Sequence, residues 1–199
     1  QPLVNLVFHR LHIPVYQSGT EDILQKSVIA TVLMALDAAL SGFDQKSVLR
    51  YLRSALSPVD PDTCDRIENY AIIWGIRGQK WTQSWENHPD GLSGVWTEED
   101  QHRLEELNTA RELAIAPLTR LWQGFRDASD LRGQILALYG FLEDISLEMR
   151  LSRMAQELDA AGDNRAAQIL NQLWEILLGA LEQMYDMLGD THWEGEQFI

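Results

Sequence analysis

The sequence predicts a mainly α protein, an antiparallel helical bundle with one short orphan extended segment near its N-terminus and a long loop rich in tryptophan and glycine. Three observations predict it. Apolar residues recur at three- and four-residue spacing through most of the 199 residues. Capping residues stand where those stripes begin, at Asp44, Asp60, Thr97 and Asp130. Only Ile13-Pro14-Val15-Tyr16 reads as extended, because proline disfavours helix at the residue before it and β-branched neighbours favour strand.

Leu3 to Leu11 has helical character, with Leu3, Leu6 and Val7 on one side. The Ile13 to Tyr16 run that follows has no other strand to pair with. Ser27 to Leu40 places Val28, Ile29, Val32, Leu33, Leu36 and Leu40 at helical spacing, and Gly42 ends the run. Asp44 caps a helix striped by Val48, Leu49, Leu52 and Leu56, which turns Lys46, Arg50 and Arg53 outward as the chain's one basic face. Ser57 to Pro61 is a loop ending in a start signal, Asp60 as cap and Pro61 at the first helical position.

The helix from Pro61 runs into Glu68-Asn69-Tyr70 and breaks at Gly75, a residue free to take positive φ. Ile76 and Arg77 then lie between Gly75 and Gly78, with Lys80 and Trp81 following at once. From Gly75 to Trp96 the chain reads as irregular, with Trp81, Trp85 and Trp96 expected to pin the loop to the bundle. Thr97-Glu98-Glu99-Asp100 opens the next helix, its acidic residues favoured by the positive end of the helix dipole.

Three long helices are expected beyond it. The first runs from Thr97 to about Ala128 on Leu104, Leu107, Leu113, Leu118, Leu121 and Phe125, with Pro117 kinking or interrupting it. The second starts at Asp130 and carries Leu131, Ile135, Leu138, Leu142 and Ile145 as far as Gly162. The third, from about Asp163, reads Ile169, Leu170, Leu173, Ile176, Leu177, Leu181, Met184 and Leu188. Short links between such helices imply antiparallel packing.

Composition narrows the function. No apolar run reaches the roughly 18 residues of a membrane span, and the start lacks the cationic and apolar pattern of a signal peptide, so a cytoplasmic protein is expected. The single cysteine, Cys64, supplies neither an internal disulfide nor a thiolate cage. The net charge of −14 is uneven: residues 1–96 hold 8 basic and 10 acidic side chains, residues 97–199 hold 8 and 20. An acidic second half repels phosphate, so contact with nucleic acid is expected from the first half. The Gln1-Pro2 start and the Phe198-Ile199 end lead us to expect a domain from a longer protein.

Glu68-Asn69-Tyr70, Gly75-Ile76-Arg77-Gly78 and Trp81 resemble a segment of AddB (also RexB), the B subunit of the bacterial ATP-dependent helicase-exonuclease that processes broken DNA ends. Phe8, Ile13 to Tyr16 and Val48-Leu49-Arg50-Tyr51-Leu52-Arg53-Ser54 occur in the same order and at similar spacing, so the resemblance is good from about residue 8 to 81 and weaker afterwards. It implies a non-catalytic, 2B-like accessory domain over residues 27–199, including loop 75–96, preceded at 1–26 by a remnant of the helicase-like motor domain. By the same resemblance the parent uses ATP, magnesium and an iron-sulfur cluster, pairs with an AddA-like helicase-nuclease subunit, and acts on DNA double-strand breaks for recombinational repair.

No catalytic, cofactor or metal site is expected within this segment. A nucleotide-binding loop needs Gly-x-x-x-x-Gly-Lys-Ser/Thr, whereas Gly75 and Gly78 are too close and Lys80 is followed by Trp81. Glu99-x-x-His102 is half of a carboxylate-bridged metal pattern, and the second copy is missing. His9, His12 and His88 have no ligand partner at useful spacing. Arg50, Arg53, Arg77 and Lys80 are the candidates for DNA contact, with Trp81 as a stacking surface. A solvated helix face, and an arginine bonded to carbonyls near Gly75, are the simpler and preferred reading of the same four. Glu68, Asn69, Tyr70, Gly75, Arg77, Gly78 and Trp81 are assigned to a structural turn, with Glu68 and Asn69 holding it by hydrogen bonds. A free-standing acidic module that binds a basic protein partner is the alternative function.

Overall fold

The computed structural model describes residues 20–92 and 95–188, with side chains described from residue 27 to residue 187. The expected helix at Leu3 to Leu11, the extended run at Ile13 to Tyr16, and His9, His12 and His192 lie outside the described residues. Those residues form seven α-helices and no strand. They are α1 (Thr20–Leu40), α2 (Gln45–Leu52), α3 (Pro61–Trp74), α4 (Glu98–Asp127), α5 (Leu131–Asp144), α6 (Leu147–Ala160) and α7 (Asn164–Leu188), with a 3-10 turn at Gly78–Trp81. No helix among the described residues is long and apolar enough to cross a membrane.

Each helix start follows from local chemistry. Asp44 accepts the amides of Lys46 and Ser47, Asp60 that of Thr63, and Asp130 that of Gly133, each relieving an orphan donor of a first turn. At Thr97 the cap is reciprocal. Its hydroxyl accepts the Asp100 amide, and the Asp100 carboxylate accepts the Thr97 amide.

α1 is apolar nearly all round and lies at the centre of the packing, against α2, α4 and α7. Val28, Ala35, Leu36, Ala38 and Ala39 are buried there. The core continues through Ile115, Leu118 and Leu121 of α4 to Phe141 and Leu142 of α5 and Leu151 of α6. Where α4 meets α5, a Cβ on Gly124 would stand 2.5 Å from Ala137 Cβ, so only glycine lets these helices approach so closely.

An interruption at Pro117 and a single helix after Asp130 are both corrected. Pro117 does not interrupt α4, which runs unbroken to Asp127 with Pro117 on its buried face. The buried side chains of Ile115, Pro117, Leu118 and Leu121 hold the helix together by packing, which offsets the lost backbone bond. The helix expected from Asp130 to Gly162 is two helices. It breaks at Ile145 and Ser146, where Ser146 takes the left-handed conformation with φ 52° and Ile145 is buried. The apolar stripe passes through the break because Ile145 and Leu147 both reach the core, which conceals the turn from a reading of periodicity.

Candidate functional site

The irregular stretch after α3 is fastened down along its length. Gly75 closes α3 in the left-handed conformation (φ 57°, ψ 50°), and the Ile76 amide returns to the Ala71 carbonyl at 2.9 Å. The same carbonyl accepts the side-chain amide of Gln45 from α2 at 2.8 Å. The Gly78 amide then donates to the Phe43 carbonyl at 2.9 Å. Phe43 itself sits at φ 63°, a conformation costly for any side chain but glycine, held because its ring is buried edge-on to Trp122. Thus the corner between α1 and α2 carries the turn after α3.

Beyond the turn, rings and polar side chains form a clasp onto α4. Trp81 is fully buried, and Trp85 is buried with its ring stacked on Tyr70 at 4.5 Å and 10°. Arg111 of α4 is buried beneath them and donates to the Trp81 carbonyl at 2.9 Å. Asn108 grips Trp85 from both sides, its oxygen accepting the Trp85 amide at 2.8 Å and its nitrogen donating to the Trp85 carbonyl at 2.9 Å. The Tyr70 hydroxyl both donates to the Asn87 carbonyl and accepts the Asn87 amide. Trp74 Nε1 donates to the His88 carbonyl at 3.0 Å.

The clasp ends in a charged knot that sequence spacing did not reveal. His88 is buried, its Nδ1 accepts the Asp90 amide at 3.0 Å, and its Nε2 lies 3.4 Å from Asp100 Oδ2. With Nδ1 accepting, the ring proton belongs on Nε2, facing the carboxylate. Arg103 forks onto Asp90 at 3.2 and 2.6 Å and also pairs with Asp100. Hydrogen bonds from Thr97 and then from Arg103 hold the Asp100 carboxyl well below the usual carboxylate range. The sequence marked this carboxylate only as one of the acidic residues in the first turn after the Thr97 cap. Nothing in the sequence pointed to His88.

Trp96 departs from the expected use of the three tryptophans, since it is 43% exposed and leans on the His88 ring at 4.8 Å without entering the core. Glu68 and Asn69 point away from the turn. Glu68 pairs with Arg53, Asn69 is exposed, and the backbone bonds to Ala71 and Phe43 close the turn in their place. Tyr70, Gly75, Gly78 and Trp81 lie within the clasp, and Arg77 is exposed beside it.

The four candidate cations fall in two places. Arg53 reaches from the end of α2 to Asp65 (3.2 Å) and Glu68 of α3, and Arg50 lies 3.7 Å from Asp37 of α1. Lys80 Nζ sits 3.5 Å from the carbonyls of Trp74 and Gly75, where the negative end of the α3 dipole attracts it. It thereby takes the position that the sequence assigned to an arginine. Arg77, in extended backbone at the start of the 3-10 turn, makes no ion pair or side-chain hydrogen bond among the described residues. Both α2 arginines keep more than half of their side chains in solvent, and such surface pairs are worth about 0–1 kcal/mol, so they do not lock the guanidinium groups.

Among the described residues no three His, Cys, Asp or Glu side chains are grouped to hold a metal ion, and His102 faces Glu106 at 3.7 Å. Cys64 is buried, which pushes its thiol up and makes it a poor nucleophile. A lone cysteine also leaves this chain without the donors an iron-sulfur cluster needs.

No family model matches the chain. It is 32% identical, over 94% of its length, to the B subunit of the ATP-dependent helicase/deoxyribonuclease of Geobacillus thermodenitrificans. The chain is homologous to one segment of that protein. The corresponding protein of Geobacillus kaustophilus is also 32% identical over 99% of the chain, and that of Caldanaerobacter subterraneus subsp. tengcongensis 26% identical over 98%. The chain spans about a sixth of the length of these curated relatives, covering 17% or 18% of each. Homology to these B subunits therefore extends through the acidic second half, where the short motifs are weakest.

Proposed function

We propose that this chain is a non-catalytic, 2B-like accessory domain of an AddB-type subunit, which together with an AddA-like partner and ATP unwinds and resects DNA double-strand breaks. Residues 27–199 form the accessory domain, and residues 1–26 are a remnant of the helicase-like motor domain. The carrying observation is homology over nearly the whole chain to a sixth of a helicase/deoxyribonuclease B subunit. The clasp supports the same reading, because most of its polar side chains, Tyr70, Trp74, Trp85, Asn108 and Arg111 among them, bond to backbone of the same chain, so that its work is done by shape. ATP, magnesium and the iron-sulfur cluster belong to other segments of the parent. Arg77 is the first candidate for DNA contact on this body, with Arg50, Arg53 and Lys80 as further phosphate partners.

Titration of the purified chain with duplex and single-stranded DNA at several salt concentrations tests the reading, alongside assays for ATP hydrolysis and DNA cleavage. Weak, steeply salt-dependent binding is expected, with Arg77→Ala and Arg50→Ala each removing about one unit from the salt slope. Turnover of ATP or cleavage of DNA by the chain alone overturns the accessory role. Absence of binding at low salt overturns the DNA contact.

A further inference from the structure

A groove of about 520 Å³ runs between α5 and α7, on helices that take no part in the clasp. Its floor is apolar and aromatic, formed by Ile135, Leu136 and Tyr139 of α5 and by Leu178, Leu181 and Tyr185 of α7. Leu136 is 58% exposed there, although it lies on a helix whose other leucines are buried. Glu182 and Asp186 form the rim on α7, and Glu143 stands beside Tyr139, accepting its hydroxyl at 2.9 Å.

Two further observations indicate what fills the groove. From Gly133 to Asp144 and from Ala166 to Leu188 the two helices carry Glu143, Asp144, Glu175, Glu182 and Asp186 and not one lysine or arginine. Two bases stand nearby: Arg120 of α4 pairs with Asp144 at 2.6 Å, away from the groove floor, and the Arg132 guanidinium lies 5.3 Å over the Tyr185 ring, so this aromatic wall already holds a cation. Secondly, Gly140 and Gly179 continue the Leu136 and Glu182 rows at helical spacing, and a Cβ on either would meet nothing within 4 Å. Mid-helix glycine weakens a helix, and the packing of these helices against one another gives no reason for it here. Open rows of this kind let another backbone come close.

We infer that the groove between α5 and α7 is a docking site for an amphipathic helix of a neighbouring protein segment, its apolar side on the tyrosine and leucine floor and its lysines or arginines facing Glu182, Asp186 and Glu143. A helix fits because the floor residues on α7 extend over Leu178 to Asp186, roughly 12 Å, about two turns of a partner lying alongside. Nucleic acid does not fit, since the same carboxylates repel phosphate. The inference stands whether or not the chain serves a helicase-nuclease, and its test involves no DNA.

The test uses the 199-residue chain and two synthetic 14-residue helical peptides with the same leucine face, one flanked by lysines and one by glutamates. Binding is followed by fluorescence anisotropy and by amide chemical shifts. The lysine peptide is expected to bind and to shift resonances of α5 and α7, the glutamate peptide not to bind, and Glu182→Lys with Asp186→Lys to weaken binding about tenfold or more. Leu136→Ala weakens it as well. All three side chains are exposed, so far-UV circular dichroism is expected to show the fold intact. Equal binding of both peptides, shifts on another face, or a wild-type response from the charge-reversed protein overturns the inference. Sedimentation showing self-association that Leu136→Ala abolishes also overturns it, because the occupant is then a second copy of the chain.

Discussion

The clasp between α3 and α4 and the groove between α5 and α7 are both walled by aromatic rings, and they use them in opposite ways. In the clasp, Trp81, Trp85 and Tyr70 are buried and the polar groups around them bind backbone of the same chain. In the groove, Tyr139 and Tyr185 remain half-exposed, leucine faces solvent, and the neighbouring carboxylates have few cations to meet. A loop whose polar groups mostly bond within the chain is a structural part. A helix pair that leaves apolar and charged groups unspent is a surface for something else.

The largest expected effect falls on the clasp. Trp81→Ala removes a side chain with no exposure and leaves a cavity, which is expected to cost about 3–5 kcal/mol in chemical denaturation. A loss under about 1 kcal/mol would mean that the bundle stands without its clasp. Asn108→Ala leaves the Trp85 amide and carbonyl without their side-chain partner and is expected to cost about 1–3 kcal/mol. Faster hydrogen exchange in that variant is expected at residues 82–97 while α5 to α7 are unchanged, which separates a fastened loop from general weakening.

Gly179→Ala sharpens the other side of the comparison. With open space at its Cβ position, alanine is expected to stabilise the isolated chain by about 0.5–1 kcal/mol, read from the denaturation midpoint. A destabilised variant would show that the space beside Gly179 is already filled within the chain itself. The smallest effect is expected in acid. Asp100 is held below its ordinary range by Thr97 and Arg103, so its contribution is complete above about pH 4 and is lost as the pH falls further. Tryptophan fluorescence should report loosening around Trp96 in that window, and Asp100→Asn should lack the acid-dependent step.

Much of the fold was written locally. The caps at Asp44, Asp60, Thr97 and Asp130, the left-handed Gly75 and most of the stripes of α1, α2 and α4 were readable because each depends on residues within one helical turn of one another, although Ile29, Leu33 and Leu113, assigned to those stripes, are exposed. The break at Ser146 was not readable, since apolar residues on both sides preserve the helical rhythm across it. The candidate site divided in the same way. Tyr70, Gly75, Gly78 and Trp81 could be marked from their order, whereas the partner of Glu68 is Arg53, fifteen residues away, which only the packing of α2 on α3 brings near.

By itself the sequence determined that this chain forms capped, amphipathic helices with its negative charge gathered in the second half, because propensity, capping and net charge depend on neighbouring residues or on composition. Tertiary structure alone decided that Asn108 and Arg111 hold the tryptophan loop, that His88 meets Asp100 and Arg103, and that Leu136 is left uncovered opposite α7. Those outcomes require segments distant in the chain to meet. Burial then decides whether a ring becomes part of the core or remains a surface, and whether a carboxylate is solvated or held.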